Sequence, residues 1–176
     1  KRQGPESIEG YYDEVFAIPP LIARVIEHPR VFDGVIVGCF DDTGVDALRA
    51  RLRVPVIGLC QAALQFATVL AGKITIVTTL ERSVPALEQV VMRHGFDLRS
   101  IRIRASEVPV LDLEDPDSPA SARIRAEIGR AVEEDRAEAI VLGCAGMSDL
   151  AAELGREFER PVVEGVSAAV KIIEGL

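Results

Sequence analysis

The strongest constraint on this chain is an alternation of two patterns. Short, continuously apolar runs, Val35-Ile36-Val37, Val54-Pro55-Val56-Ile57, Ile74-Thr75-Ile76-Val77 and Ala139-Ile140-Val141-Leu142, each close on a small or turn-forming residue. Such runs read as strands covered on both faces, and therefore as parallel strands. Val162-Val163 is a shorter candidate, and Ile101-Arg102-Ile103 alternates like an edge strand. Between them, residues 11–27, 45–52, 61–70, 84–94, 120–135, 148–158 and 166–176 repeat their apolar positions at the helical period. Ser83 ahead of Val84-Pro85, and Gly95 after His94, supply a start and a stop signal. The expected fold class is α/β with right-handed crossovers. Residues 108–119, acidic and proline-rich, form the one long irregular stretch and are expected to be a surface loop.

With 176 residues, 48% of them apolar, the chain can bury a sizeable core, which excludes intrinsic disorder. Its 28 acidic against 20 basic side chains repel phosphate, so neither nucleic acid nor an anionic membrane is an expected partner. No run approaches the roughly 18 apolar residues of a membrane span. The stretch Lys1-Arg2-Gln3-Gly4-Pro5 lacks the apolar core of a signal peptide, so a cytoplasmic location is expected.

Three cysteines are an odd count, which fits reduced thiols better than a disulfide framework. Two of them share a plan. Ile36-Val37-Gly38-Cys39 and Val141-Leu142-Gly143-Cys144 each run from an apolar strand through Gly-Cys into a turn and an amphipathic helix, as equivalent positions of two half-molecules would. In open parallel sheets ligands bind beyond the carboxyl ends of the strands. A helix N-terminus there would favour the thiolate, and the glycine would let backbone approach a ligand. Cys60 lacks the pattern and reads as a buried core residue.

Two thiols facing one cleft leave two chemistries open. One is redox, as a disulfide or a peroxidatic and resolving pair. The other is proton transfer at a carbon acid, one thiolate removing a proton from one face while the opposite thiol returns one to the other face. Competing sites fare worse. His28 and His94 read as exposed residues at helix ends. No Cys/His spacing suits zinc, and no phosphate loop or Schiff-base lysine stands out. Asp41-Asp42 reads equally as an acid/base pair or as ordinary helix-start residues.

At Gly38-Cys39-Phe40-Asp41-Asp42, Val77-Thr78-Thr79-Leu80-Glu81-Arg82-Ser83 and Leu142-Gly143-Cys144-Ala145-Gly146-Met147, the chain resembles the aspartate/glutamate/hydantoin racemase superfamily, in its hydantoin and allantoin racemase branch. Gly4-Pro5-Glu6-Ser7-Ile8-Glu9-Gly10 extends the match. The resemblance implies two pseudo-symmetric parallel-sheet lobes flanked by helices, with the active site in the cleft between them. It implies a cofactor-independent, metal-free racemase of 5-monosubstituted hydantoins, with Cys39 and Cys144 as the acid/base pair. Ile8, Asp41, Thr78 and Thr79 would then line the substrate pocket, and the backbone at Phe40, Ala145 and Gly146 would donate to the ring carbonyls. Arg82 would either help to shape the pocket or pair with carboxylates.

The expected lobes are 1–70 plus 165–176, and 71–164. Relatives normally place a strand ending in Asn-Pro-Asn, a helix and a second strand ahead of the Gly-Pro block, so the first lobe is expected to lack that unit here. Relatives also often carry Gly-Glu where this chain has Cys60-Gln61. The expected partners are a small-molecule cyclic ureide and further copies of the chain in a homo-oligomer, with no nucleic acid and no membrane. The alternatives are an allantoin or aspartate/glutamate racemase of the same fold, and a non-catalytic ligand-binding or thiol redox-sensing module.

Overall fold

A computed structural model describes residues 4–115 and 118–176, so Pro116 and Asp117 of the acidic stretch lie outside the described residues, as do residues 1–3. In chain order the regular elements are α1 (Tyr11–Ile26), β1 (Val35–Val37), α2 (Val45–Arg51), β2 (Val56–Gly58), α3 (Leu59–Leu70), β3 (Ile74–Thr78), α4 (Val84–Arg93), β4 (Ile101–Ala105), α5 (Ala120–Glu134), β5 (Ala139–Leu142), α6 (Ala151–Glu157), β6 (Val162–Glu164) and α7 (Gly165–Glu174). They form two parallel sheets flanked by helices. One pairs β1 with β2, Val35 opposite Val56. The other has the order β4-β3-β5-β6.

Both faces of the two central strands of the larger sheet, β3 and β5, are largely apolar because both are covered. On β3 and β5, Ile74, Ile76, Ala139 and Val141 join a core with α3, α4 and α7. The alternate residues Val77, Ile140 and Leu142 join a second core with α5 and α6. Period-2 alternation is thus present but invisible in the residue types, since each face has its own helices to pack against. The smaller sheet repeats the arrangement. Ile57 and the partly buried Ile36 face the α3/α7 core, while Val37 and Val56 face α2 and Leu21, Ile22 and Val25 of α1. Helices α3 and α7 therefore share one core with strands of both sheets.

Three expectations change. Residues 148–158 do not form one helix: a 3-10 turn over Ala145–Leu150 precedes α6. Ser148 Oγ donates to the carbonyl of Ala145 at 2.8 Å, offering the backbone a local alternative to the α-helical ladder. Ser83 does not cap α4; its hydroxyl donates to the carbonyl of Glu9 at 3.1 Å. The acidic stretch is not wholly a surface loop. Val108 is 1% exposed, and a 3-10 turn over Val110–Glu114 places Leu113 against Gly146. Among the described residues no helix is long and apolar enough to cross a membrane.

Candidate active site

The loops that follow β1 and β5 open on one cavity of about 860 Å³, lined by Gly38-Cys39 and Gly143-Cys144. That volume suits a small organic ligand. Every residue expected in the site lines it: Ile8 from the N-terminal segment, Phe40 and Asp41 after Cys39, Thr78 and Thr79 at the end of β3, and Ala145 and Gly146 after Cys144. The side chain of Phe40 belongs to the α3/α7 core. The hydroxyl of Thr78 donates to the carbonyl of Gly143 at 3.3 Å, whereas that of Thr79 has no hydrogen bond among the described residues.

Each thiol sits in a small nest of donors. Cys39 Sγ lies 3.3 Å from Thr43 Oγ1 and receives the backbone N–H groups of Asp41 and Thr43. Cys144 receives the N–H of Gly146. These contacts favour a thiolate, yet both thiols titrate high. Burial, and then the Asp41 carboxylate, push Cys39 up to about 12. Burial also raises Cys144, ahead of Asp41 and Glu9. The expected depression by a helix N-terminus is absent because α2 starts only at Val45 and Cys144 precedes a 3-10 turn. The cysteines therefore rest as thiols.

Asp41 shares the cavity and is 7% exposed. Burial, reinforced by Glu14 and Asp42, pushes its carboxyl up to about 7. Asp42 does something else. Its carboxylate turns away to accept the backbone N–H groups of Cys60 at 2.9 Å and Gln61 at 3.1 Å, capping α3. The two carboxylates are thus not an acid/base pair. Asp42 adopts a left-handed φ of 51°, which aspartate tolerates, and a Cβ on Gly58 would fall 2.0 Å from its Oδ1. His94 is the partner that completes this cap, and its side chain is 6% exposed rather than an open helix end.

Cys60 is fully buried in the α3/α7 core, as expected, and burial raises its thiol as well. Gly143 also lets β5 pack closely on β3: a Cβ there would lie 2.9 Å from Thr78 Cα. Sequence reasoning missed Pro20 and Leu21 of α1, together with Ser83 and Val110, all of which line the cavity. It also missed Glu9, a buried carboxylate joined to Arg82. The only local signal for Glu9 is a charged residue between apolar Ile8 and Gly10.

Residues 1–173 match the family model described as Asp/Glu/Hydantoin racemase. The chain is 43% identical over 173 residues to a hydantoin racemase of Rhizobium meliloti, covering 98% of this chain and 72% of that one. The solved allantoin racemase of Klebsiella pneumoniae superimposes with a TM-score of 0.94 at 40% identity, covering 99% of this chain and 72% of that one. For the allantoin racemase of Pseudomonas fluorescens the TM-score is 0.93 at 36% identity, covering 98% and 74%. With the Gly-Cys turns at the ends of β1 and β5 opening on one cavity and the match running through nearly the whole sequence, this chain belongs to the Asp/Glu/hydantoin racemase family.

Proposed function

We propose that this enzyme racemises 5-monosubstituted hydantoins by a two-base mechanism in which Cys39 and Cys144 exchange roles across C5. The observation that carries the reading is that both thiols, from strands of different sheets, line one cavity. The C5–H bond is acidified by the neighbouring ring carbonyl. The thiolate of one cysteine takes the proton, the C–H electron pair passes into the enolate, and the opposite thiol delivers its own proton to the other face. Each turnover leaves the thiolate on the other cysteine, ready for the reverse direction. No electron is gained or lost, so the step is balanced without a co-reactant.

Asp41 and the free hydroxyl of Thr79 would hold the ring and its developing oxyanion. Relatives named for hydantoin and for allantoin support one carbon centre, because allantoin is a hydantoin with a ureido group at C5. The test is loss of optical rotation from enantiopure substituted hydantoins, allantoin, aspartate and glutamate. Racemisation of a cyclic ureide alone supports the reading, and racemisation of a free amino acid alone overturns the substrate. If no substrate racemises while mild peroxide links Cys39 to Cys144, the site is a redox sensor instead.

A further inference from the structure

Glu9 is a buried carboxylate that the proposed chemistry does not use, and it is bonded on every side. Its Oε1 accepts the backbone N–H of Val110 at 2.9 Å, and its Oε2 pairs with the guanidinium of Arg82. Its own carbonyl accepts from Ser83 Oγ at 3.1 Å, and its N–H donates to Asp13 Oδ2 at 2.9 Å. Removing a carboxylate from water is costly unless its partners are complete, and here they come from three separate segments. Those segments are walls of the same cavity. Ile8, immediately before Glu9, lines it, as do Ser83 from the β3–α4 connection and Val110 from the acidic stretch.

We propose that Glu9 is a positioning residue that ties these three walls of the cavity together. The inference rests on the cavity being the racemisation site. Its charge acts in the same place, being one of the carboxylates that keep Cys144 protonated, behind burial and Asp41. Arg82 is 64% exposed at its side chain, so it offsets the charge of Glu9 from the solvent side without closing the cavity. A substrate ring would then be gripped between walls whose spacing Glu9 sets, while Cys144 stays a thiol able to donate.

The test compares Glu9→Gln with Val110→Pro, which removes one donor and keeps the carboxylate. The three cysteines are alkylated with iodoacetamide at about pH 8, where thiolate fraction sets the rate, and followed separately by mass spectrometry. In Glu9→Gln the reaction at Cys144 is expected to accelerate about threefold, because one charge that opposes its thiolate is gone. Cys60, deep in the core, should keep its slow rate. Val110→Pro keeps that charge and should leave the Cys144 rate near that of the wild type, while in both variants KM for the racemised hydantoin should rise more than kcat falls. An unchanged Cys144 rate in Glu9→Gln, or a Cys60 rate rising in step with it, overturns the proposal. The alkylation arm needs no substrate, so it decides the role of Glu9 even if the racemase reading fails.

Discussion

His94 Nε2 lies 2.7 Å from Asp42 Oδ2, joining the end of α4 to the turn that carries Cys39. With Cys60 and Gln61 donating their backbone N–H groups, the Asp42 carboxylate has a full set of partners and no exposure. Replacing Asp42 with alanine would orphan all three donors at once. Loss of one member of such a buried set costs about 3–5 kcal/mol. Asp42→Asn should lose less, because its amide oxygen keeps one acceptor and asparagine also tolerates the left-handed backbone. Urea denaturation of the two variants checks the order; equal losses would mean that the cap contributes little.

The two-base scheme predicts a split between exchange and inversion. Cys39→Ala and Cys144→Ala should each reduce racemisation by about 10²–10⁴-fold, the usual contribution of a positioned acid or base. Each variant keeps a base on one face, so each should still exchange the C5 proton of one enantiomer, and the two should prefer opposite enantiomers. Proton NMR in D2O, run on each pure enantiomer, reads this directly. A single variant that racemises at the wild-type rate would sink the scheme.

Much of this site is legible along the sequence because its parts are local. A parallel strand ending in Gly-Cys can be read from a handful of neighbouring residues, and both such turns reach the cavity. What is not legible depends on distant partners. Nothing near His94 reveals that it meets Asp42, 52 residues earlier, nor does the sequence around Glu9 announce Val110, 101 residues on. The protonation of the cysteines fails for the same reason: a helix start can be guessed locally, whereas burial and the charge of Asp41 are consequences of the assembled fold.

High thiol titration sets the pH dependence of the rate. Below its pKa a thiol yields about tenfold more thiolate per pH unit. With Cys39 pushed up to about 12 and Cys144 also raised, racemisation should climb with pH throughout the neutral range. Asp41 bends that climb. It ionises at about 7, and the charge that then appears is part of what holds both thiols high. A logarithmic plot of kcat/KM should therefore flatten near pH 7 in the wild type and run straight in Asp41→Asn. A neutral plateau in both proteins would show that a low-titrating thiolate, rather than a buried thiol, is the base.

Asp41 should also cost the fold stability in a defined window. An unfolded aspartate titrates at about 3.9, whereas burial lifts folded Asp41 to about 7. Below both values the carboxyl is neutral in either state and carries no penalty. As pH rises from about 4 towards about 7 the unfolded chain releases the proton and the folded chain retains it, so stability falls, and above that window the loss is constant. The pKa difference corresponds to at most about 4 kcal/mol. Asp41→Asn removes the charge while keeping the shape. Denaturation midpoints of the two proteins should therefore coincide near pH 4 and separate by pH 8, with the variant the more stable. Parallel curves across the whole range would mean that Asp41 is solvated well enough to ionise freely beside the two thiols.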